Sequence, residues 1–332
     1  MRSVILALAF GCGVSSPPTT TAEPPDPCGR QARLGGEYLE RSDGVELWYR
    51  VAGPPNAPLI AYLHGGPGYN AYAFERSAGE QLEAHFRMLY FDQRGAGRSS
   101  FDGDTSQYGM APTVEDLDQL RAHLGAERLV LMGHSFGAIV AAAYAHRYPE
   151  RVAAVVQIDS APDVGTALAN QVAAIDAIAD DAFPEQAAEV HEIAAREATA
   201  FVRLGALYQL LGRLPMQRHL HYASDDAQER MEALDAEPGF LGCTSSKVVA
   251  AFEREGYLGD APPNVAVAIE APTLLVAGRA SRVIGEAAIT EAAARWGAEL
   301  AWVDDAGHFV YFEKPEAFVQ LVTEFVEGAL TR

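Results

Sequence analysis

From Gly36 onward the chain alternates between two hydrophobic rhythms. Short runs dense in branched and aromatic residues, "VELWYRVAG", "APLIAYLH", "RMLYFDQ", "ERLVLMGHS" and "RVAAVVQID", predict strands. Between them, "AYAFERSAGEQLEAHF", "TVEDLDQLRAHLG" and "GAIVAAAYAHRYP" carry the longer period of helices. Thr113, with Asp116 three residues on, is close to a capping box and predicts a helix start at Thr113. The rhythm breaks over residues 164–263, where mainly helical patterns occur, such as "ALANQVAAIDAIADD" and "PEQAAEVHEIAAREATAFVRLGALYQLL". It resumes with the strand "PTLLVAG", a helix near "GEAAITEAAARWG", the strand "ELAWVD" and a last helix "PEAFVQLVTEFVEGAL". Such alternation predicts an α/β fold, a mainly parallel sheet wrapped by helices. The insert after strand six predicts a helical cap over the carboxyl edge of the sheet, where such folds bind ligands. The expected organisation is thus a core of residues 37–163 and 264–332 with a cap at 164–263.

Apolar residues make up 49% of the 332, enough for a sizeable core. The formal charge of −20 repels nucleic acid and anionic lipid, so neither is expected as a partner. The first residues read differently. "MRSVILALAFGC" has one early arginine and an apolar run too short to span a bilayer as a stable helix. Residues 1–12 resemble a bacterial lipoprotein signal with Cys12 as the lipidated residue; an export signal cleaved slightly later is the alternative. Residues 13–36, rich in Pro, Ser and Thr, read as an extended tether. The expected location is the bacterial cell envelope or periplasm, with membrane contact only through that lipid. In an oxidising compartment Cys28 and Cys243 could pair or stay apart.

Three motifs carry chemistry. "GHSFG", Gly133 to Gly137, sits between a strand and a helix, the context that gives G-x-S-x-G its meaning and makes Ser135 a candidate nucleophile. His134 beside it reads as a packing residue, since neighbours on a sharp turn point apart. "HGGPG", His64 to Gly68, follows a core strand and exposes backbone N–H groups; Gly66 and Phe136 are the candidate oxyanion donors. "DQRGAGRS" holds Asp92 and Arg94, read as a pair that braces the loops around the serine. "HGGPG", "FDQRGAGRSS" and "GHSFG" together resemble the proline iminopeptidase family of α/β-hydrolases, from about Glu37 to the end. The resemblance implies a Ser–His–Asp hydrolase that removes N-terminal residues, often proline, beneath a helical cap. The family also includes esterases and amidases.

His308, in "DDAGHFVYFEKPEAF", resembles the family's "GHF…E.P" ending and follows the serine in chain order, as this fold requires; it is the candidate general base and acid. The acid is the irregular part. The family places an aspartate three residues after the glycine that ends strand seven. Here Gly278 leads to Ser281, which can accept the histidine's N–H but supplies no charge. Asp159, at the end of the preceding strand, lies roughly one strand spacing of 4.8 Å to the side. Some haloalkane dehalogenases carry their acid there, and Arg151, Val152 and Asp159 resemble their spacing. Asp159 is therefore the candidate acid. Asp163, Asp304 and Asp305 are alternatives, as is a Ser–His dyad. No metal or organic cofactor is implied, because the His219/His221 pair lacks a third ligand. For a substrate's α-ammonium, Glu229, Glu232, Glu237 and Glu75 are available without a reason to select among them. The expected function is an exported serine hydrolase of peptide or ester substrates, an aminopeptidase before a carboxylesterase or lactonase. A receptor for small molecules, with a degraded triad, is the reading from another class.

Overall fold

A computed structural model describes residues 35–99, 104–242, 244–260, 263 and 268–331. Cys12, Cys28, Cys243 and all of the signal and tether except Gly35 and Gly36 lie outside the described residues. Eight strands form one sheet: β1 (Glu37–Glu40), β2 (Glu46–Ala52), β3 (Leu59–Leu63), β4 (Arg87–Phe91), β5 (Leu129–His134), β6 (Val152–Ile158), β7 (Thr273–Gly278) and β8 (Glu299–Val303). Their order is β1-β2-β4-β3-β5-β6-β7-β8. The β1–β2 and β2–β4 pairs are antiparallel and the others parallel. Every residue of β3, β5 and β7 is buried, as strands covered on both faces must be. β1 is the strand the sequence pattern missed. "EYLE" is four residues at a sheet edge with exposed ends, too short to show a period.

Helices flank the core: α1 (Tyr72–Phe74) and α2 (Glu80–Leu82), joined by the π-helical segment Glu75–Gly79, then α3 (Met110–His123) and α4 (Phe136–Arg147). Strand alternation sorts the core into two layers. Leu59, Ala61, Leu63, Leu129 and Leu131 pack with Val114, Leu117, Ile139 and Val140 of α3 and α4. Ile60, Tyr62, Val130 and Met132 face the other layer. The helix expected to begin at Thr113 begins at Met110, capped by Gly109. Glu255 supplies the missing cap from far along the chain, accepting the Met110 N–H at 2.9 Å. Thr113 lies inside the first turns and donates its hydroxyl to the Gly109 carbonyl at 2.8 Å.

Between β6 and β7 come α5 (Val164–Ala182), α6 (Ala187–Ala194), α7 (Ala200–Leu211), α8 (Arg213–His221), α9 (Asp225–Asp235) and α10 (Ser246–Arg254). The long helical pattern after Pro184 is two helices, because Thr199 caps α7 by accepting the Val202 N–H. α5 to α8 share an apolar cluster that also takes in Val283 and Ile284, just after β7. α10 instead packs on the main core, through Val248, Val249 and Phe252. The chain closes with α11 (Glu286–Trp296), α12 (Val310–Glu313) and α13 (Pro315–Leu330). Phe318, Val322 and Val326 of α13 cover the second layer.

Candidate active site

Ser135 links β5 to α4 at φ 53° and ψ −121°, a conformation rarely held by a residue with a side chain. Two contacts make this turn possible. A Cβ on Gly133 would lie 2.5 Å from the Gly137 carbonyl, and one on Gly137 would lie 2.1 Å from the Leu63 carbonyl. The spacing of glycines in "GHSFG" is thus a packing requirement. The turn is pinned to β6: the Ser135 N–H donates to the Ile158 carbonyl at 2.9 Å, and Ser160 Oγ donates to the Ser135 carbonyl at 2.9 Å. The "HGGPG" loop comes up against it, since a Cβ on Gly65 would stand 3.0 Å from Ser135 Cβ. His64 ties that loop to the next one; its Nε2 accepts the Gln93 N–H at 2.9 Å. Gly66 and Phe136 line the same cavity as Ser135, and among the described residues their backbone N–H groups have no acceptor.

β6 ends beside β7, with Ile158 opposite Val276. The Asp159 N–H extends that pairing to the Val276 carbonyl at 2.9 Å, and the chain then turns at φ 41°. This points the Asp159 carboxylate across the end of β7, fully buried. His308 Nδ1 lies 2.6 Å from its Oδ2. Ser281 Oγ donates to the same Oδ2 at 2.6 Å, and the Gly278 N–H donates to Oδ1 at 3.2 Å. Ser281 therefore bonds the carboxylate, whereas the sequence suggested it as an acceptor for the histidine. Gly278 lets the histidine loop close on β7, for a Cβ there would meet the Gly307 carbonyl at 2.1 Å. Burial pushes the Asp159 carboxyl up, while Ser281 and Gly278 hold it down. Burial pushes the His308 imidazole down. Their contact opposes both effects, because it favours the charged form of each partner.

Ser135 and His308 face one cavity without a hydrogen bond between them. In enzymes of this kind such bonds often tighten only with substrate in place. His134 is packing, as expected: its Nε2–H donates to the His308 carbonyl at 3.0 Å, and burial and the neighbouring His308 keep it neutral. The other acid candidates are not partners of His308. Asp163 caps α5 by accepting the Thr166 N–H, Asp304 pairs with Arg279 at 2.9 Å on the surface, and Asp305 is an exposed turn residue. Asp92 and Arg94 are both bracing residues but not each other's partners. Asp92 binds Arg98 at 2.7 Å and accepts the Ala71 N–H, while Arg94 binds Asp116 at 2.6 Å. Arg41 also reaches Asp116 at 2.6 Å. Sequence distance hid the Asp116 pairs, whereas Arg98 lies in the same motif as Asp92.

The cavity encloses about 1170 Å³ of non-protein space, its open mouth included, between the sheet edge and the cap. Much of its wall is apolar, with Ile139, Leu168, Phe201, Leu204 and Leu258. None of Glu75, Glu229, Glu232 or Glu237 lines it. Glu75 is taken by Arg50 and Arg98, Glu232 by Gln228, and Glu237 by Tyr72. Two carboxylates do line it: Asp163, engaged as the cap of α5, and Asp235, at the end of α9, a residue the sequence offered no reason to select. The contacts of Asp235 are long, with Tyr69 Oη donating at 3.4 Å and the Arg213 guanidinium, 3.8 Å away at Nη2, too far for a hydrogen bond. Burial pushes it up to about 6, against Arg213 and Tyr69. His221 lines the cavity beside His308, while His219 packs edge-on against Phe183. Among the described residues no group of three or more His, Cys, Asp or Glu is arranged to hold a metal ion.

The sequence profile of the α/β-hydrolase fold family matches residues 58–315. The chain belongs to that family. Among curated relatives, the proline iminopeptidase PfmaB of Pestalotiopsis fici is 35% identical over 128 residues, covering 38% of this chain and 44% of that protein. A probable proline iminopeptidase of Streptomyces coelicolor is 36% identical over 123 residues, covering 36% and 38%. The matches thus span less than half the length of these relatives. The solved proline iminopeptidase-related protein of Thermus thermophilus is 26% identical with a TM-score of 0.72, covering 90% of this chain and 99% of that one. The enol-lactonase of Burkholderia xenovorans, 22% identical with a TM-score of 0.63, covers 88% and 100% and shows likeness of fold alone. This α/β-hydrolase is therefore proline iminopeptidase-like in sequence, with its β6-end carboxylate in contact with the histidine.

Proposed function

We propose that this α/β-hydrolase is an exported serine hydrolase that cleaves an amide or ester through an acyl-enzyme, as an aminopeptidase of the proline iminopeptidase kind. The observation that carries the reading is His308 Nδ1 held 2.6 Å from Asp159 beside a strained Ser135 in one cavity. Asp159 orients the imidazole and balances its charge once it takes the Ser135 proton. Ser135 Oγ attacks the acyl carbon, and the N–H groups of Gly66 and Phe136 receive the oxyanion. His308 returns the proton to the leaving nitrogen or oxygen. Water then attacks the acyl carbon, giving its proton to His308, which passes it to Ser135 Oγ as the acyl–oxygen bond breaks and the acid leaves. Asp235, weakly held on the cavity wall, is the counter-charge for a substrate ammonium.

Arg213, 3.8 Å from Asp235, favours a second reading. A guanidinium that close competes with an ammonium for the carboxylate, which suits a neutral ester or lactone. Prolyl-naphthylamide and a short naphthyl ester separate the two. The aminopeptidase reading expects the amide to be cleaved, with a large rise in KM for Asp235→Asn; cleavage of the ester alone overturns it. A fluorophosphonate should label the wild type and not Ser135→Ala. An unlabelled wild type would make the chain a receptor. Export is read from residues 1–12, and Cys12→Ser should release the protein from the membrane fraction if Cys12 carries a lipid.

A further inference from the structure

We infer that Ser281 is a positioning residue: from the place where the family keeps its acid, its hydroxyl fixes and helps to ionise the carboxylate that now serves His308. The inference rests on the proposed triad and adds a residue to it.

Four observations support it. The hydroxyl is 2.6 Å from Asp159 Oδ2, the oxygen that also faces His308 Nδ1 at 2.6 Å. Ser281 is buried, and the loop that carries it has little freedom. The Ala280 N–H donates to the Ala306 carbonyl at 2.9 Å, the Ser281 N–H to the Gly278 carbonyl at 3.1 Å, and the Arg282 N–H to the Leu220 carbonyl at 3.1 Å. Asp159 holds a left-handed backbone conformation that carries its carboxylate across the end of β7. There the Gly278 N–H and Ser281 Oγ, both from β7 and its loop, donate to its two oxygens. Each donor to a buried carboxylate favours its charged form, so losing one raises its affinity for a proton.

The sign of the effect follows. Without the hydroxyl, the Asp159–His308 pair takes up its proton at higher pH, so the acidic limb of activity moves up. The other titratable groups near the pair are His134 from β5, His221 from α8 and Glu313 from α12. Substitution at 281 leaves all three in place.

The test compares Ser281→Thr with Ser281→Val, two side chains of similar shape of which one keeps the hydroxyl. The readout is the rate of Ser135 labelling by a fluorophosphonate against pH, which needs no knowledge of the substrate. The acidic limb of Ser281→Val, and of Ser281→Ala, should rise by about one pH unit, the scale of a hydrogen bond to a charged group. Ser281→Thr should stay near the wild type. If valine and alanine leave the limb unmoved, Ser281 only fills space and the inference fails while the triad stands. If Asp159→Asn labels at the wild-type rate, the triad fails and the inference with it.

Discussion

The carboxyl ends of β6 and β7 lie next to one another and carry the same job in different hands. At the β7 end a four-residue turn, Gly278 to Ser281, holds a hydroxyl in the place where the family resemblance leads one to expect an acid. At the β6 end Asp159 adopts an uncommon backbone conformation and sends a carboxylate across to the histidine. What the histidine's Nδ1 requires is an anionic oxygen within hydrogen-bond distance, and two adjacent parallel strands can each deliver one. The difference teaches that the site is defined by the space around His308 and not by a position along the chain. It also shows why a sequence with its expected acid missing need not be an inactive one.

Breaking the β6 side should cost most. Asp159→Asn is expected to lower kcat by about 10⁴, as neutralising such an acid does elsewhere, with the thermal transition retained. A loss below threefold would shift the work to a Ser–His dyad. Exchanging the two ends is the sharper test. Asp159→Ser combined with Ser281→Asp should recover roughly tenfold over Asp159→Ser alone, about 1.4 kcal/mol of transition-state stabilisation; no recovery would mean that position 281 cannot present a carboxylate to Nδ1.

Next in size is Gly278→Ala. The added methyl would meet the Gly307 and Ala306 carbonyls at 2.1 and 2.4 Å, so the histidine loop must move off β7. A destabilisation of about 1–3 kcal/mol by overpacking is expected in denaturant titration, with activity falling further than stability explains. An unchanged midpoint would show the loop to be looser than its contacts suggest.

The smallest effect concerns Glu313, which accepts the Gly307 and Ala223 N–H groups at 2.9 Å and so fastens the histidine loop to the cap. Burial pushes its carboxyl up to about 7. The folded protein therefore binds that proton more tightly than the unfolded chain, and this contribution to stability is lost as pH rises from the ordinary glutamate range through 7. Glu313→Gln cannot ionise and should flatten the fall in Tm across that window. An equally steep fall in the variant would assign it to another group.

Much was readable from the sequence, and the reason differs from place to place. The buried strands announced themselves because a strand covered on both faces has to be apolar throughout. The serine turn and the "HGGPG" loop were legible because close backbone approach admits only glycine, and that demand is local. His308 followed from its order after the serine. The four residues of β1, the start of α3 and the break between α6 and α7 were not legible. Each depends on an edge pairing, a distant cap or a single local hydrogen bond.

The sequence by itself determined the α/β architecture and the helical insert, which rest on local period. It singled out Ser135 and His308 as candidates by local sterics, chain order and the family resemblance, from which the missing acid at Ser281 was also read. Only the tertiary structure decided that Asp159 meets His308, that Arg98 and not Arg94 answers Asp92, and that Asp235 rather than the nearby glutamates faces the cavity. Charged side chains choose partners by distance in space, and residues 149 or 22 positions apart become neighbours only when strands and loops have been laid side by side.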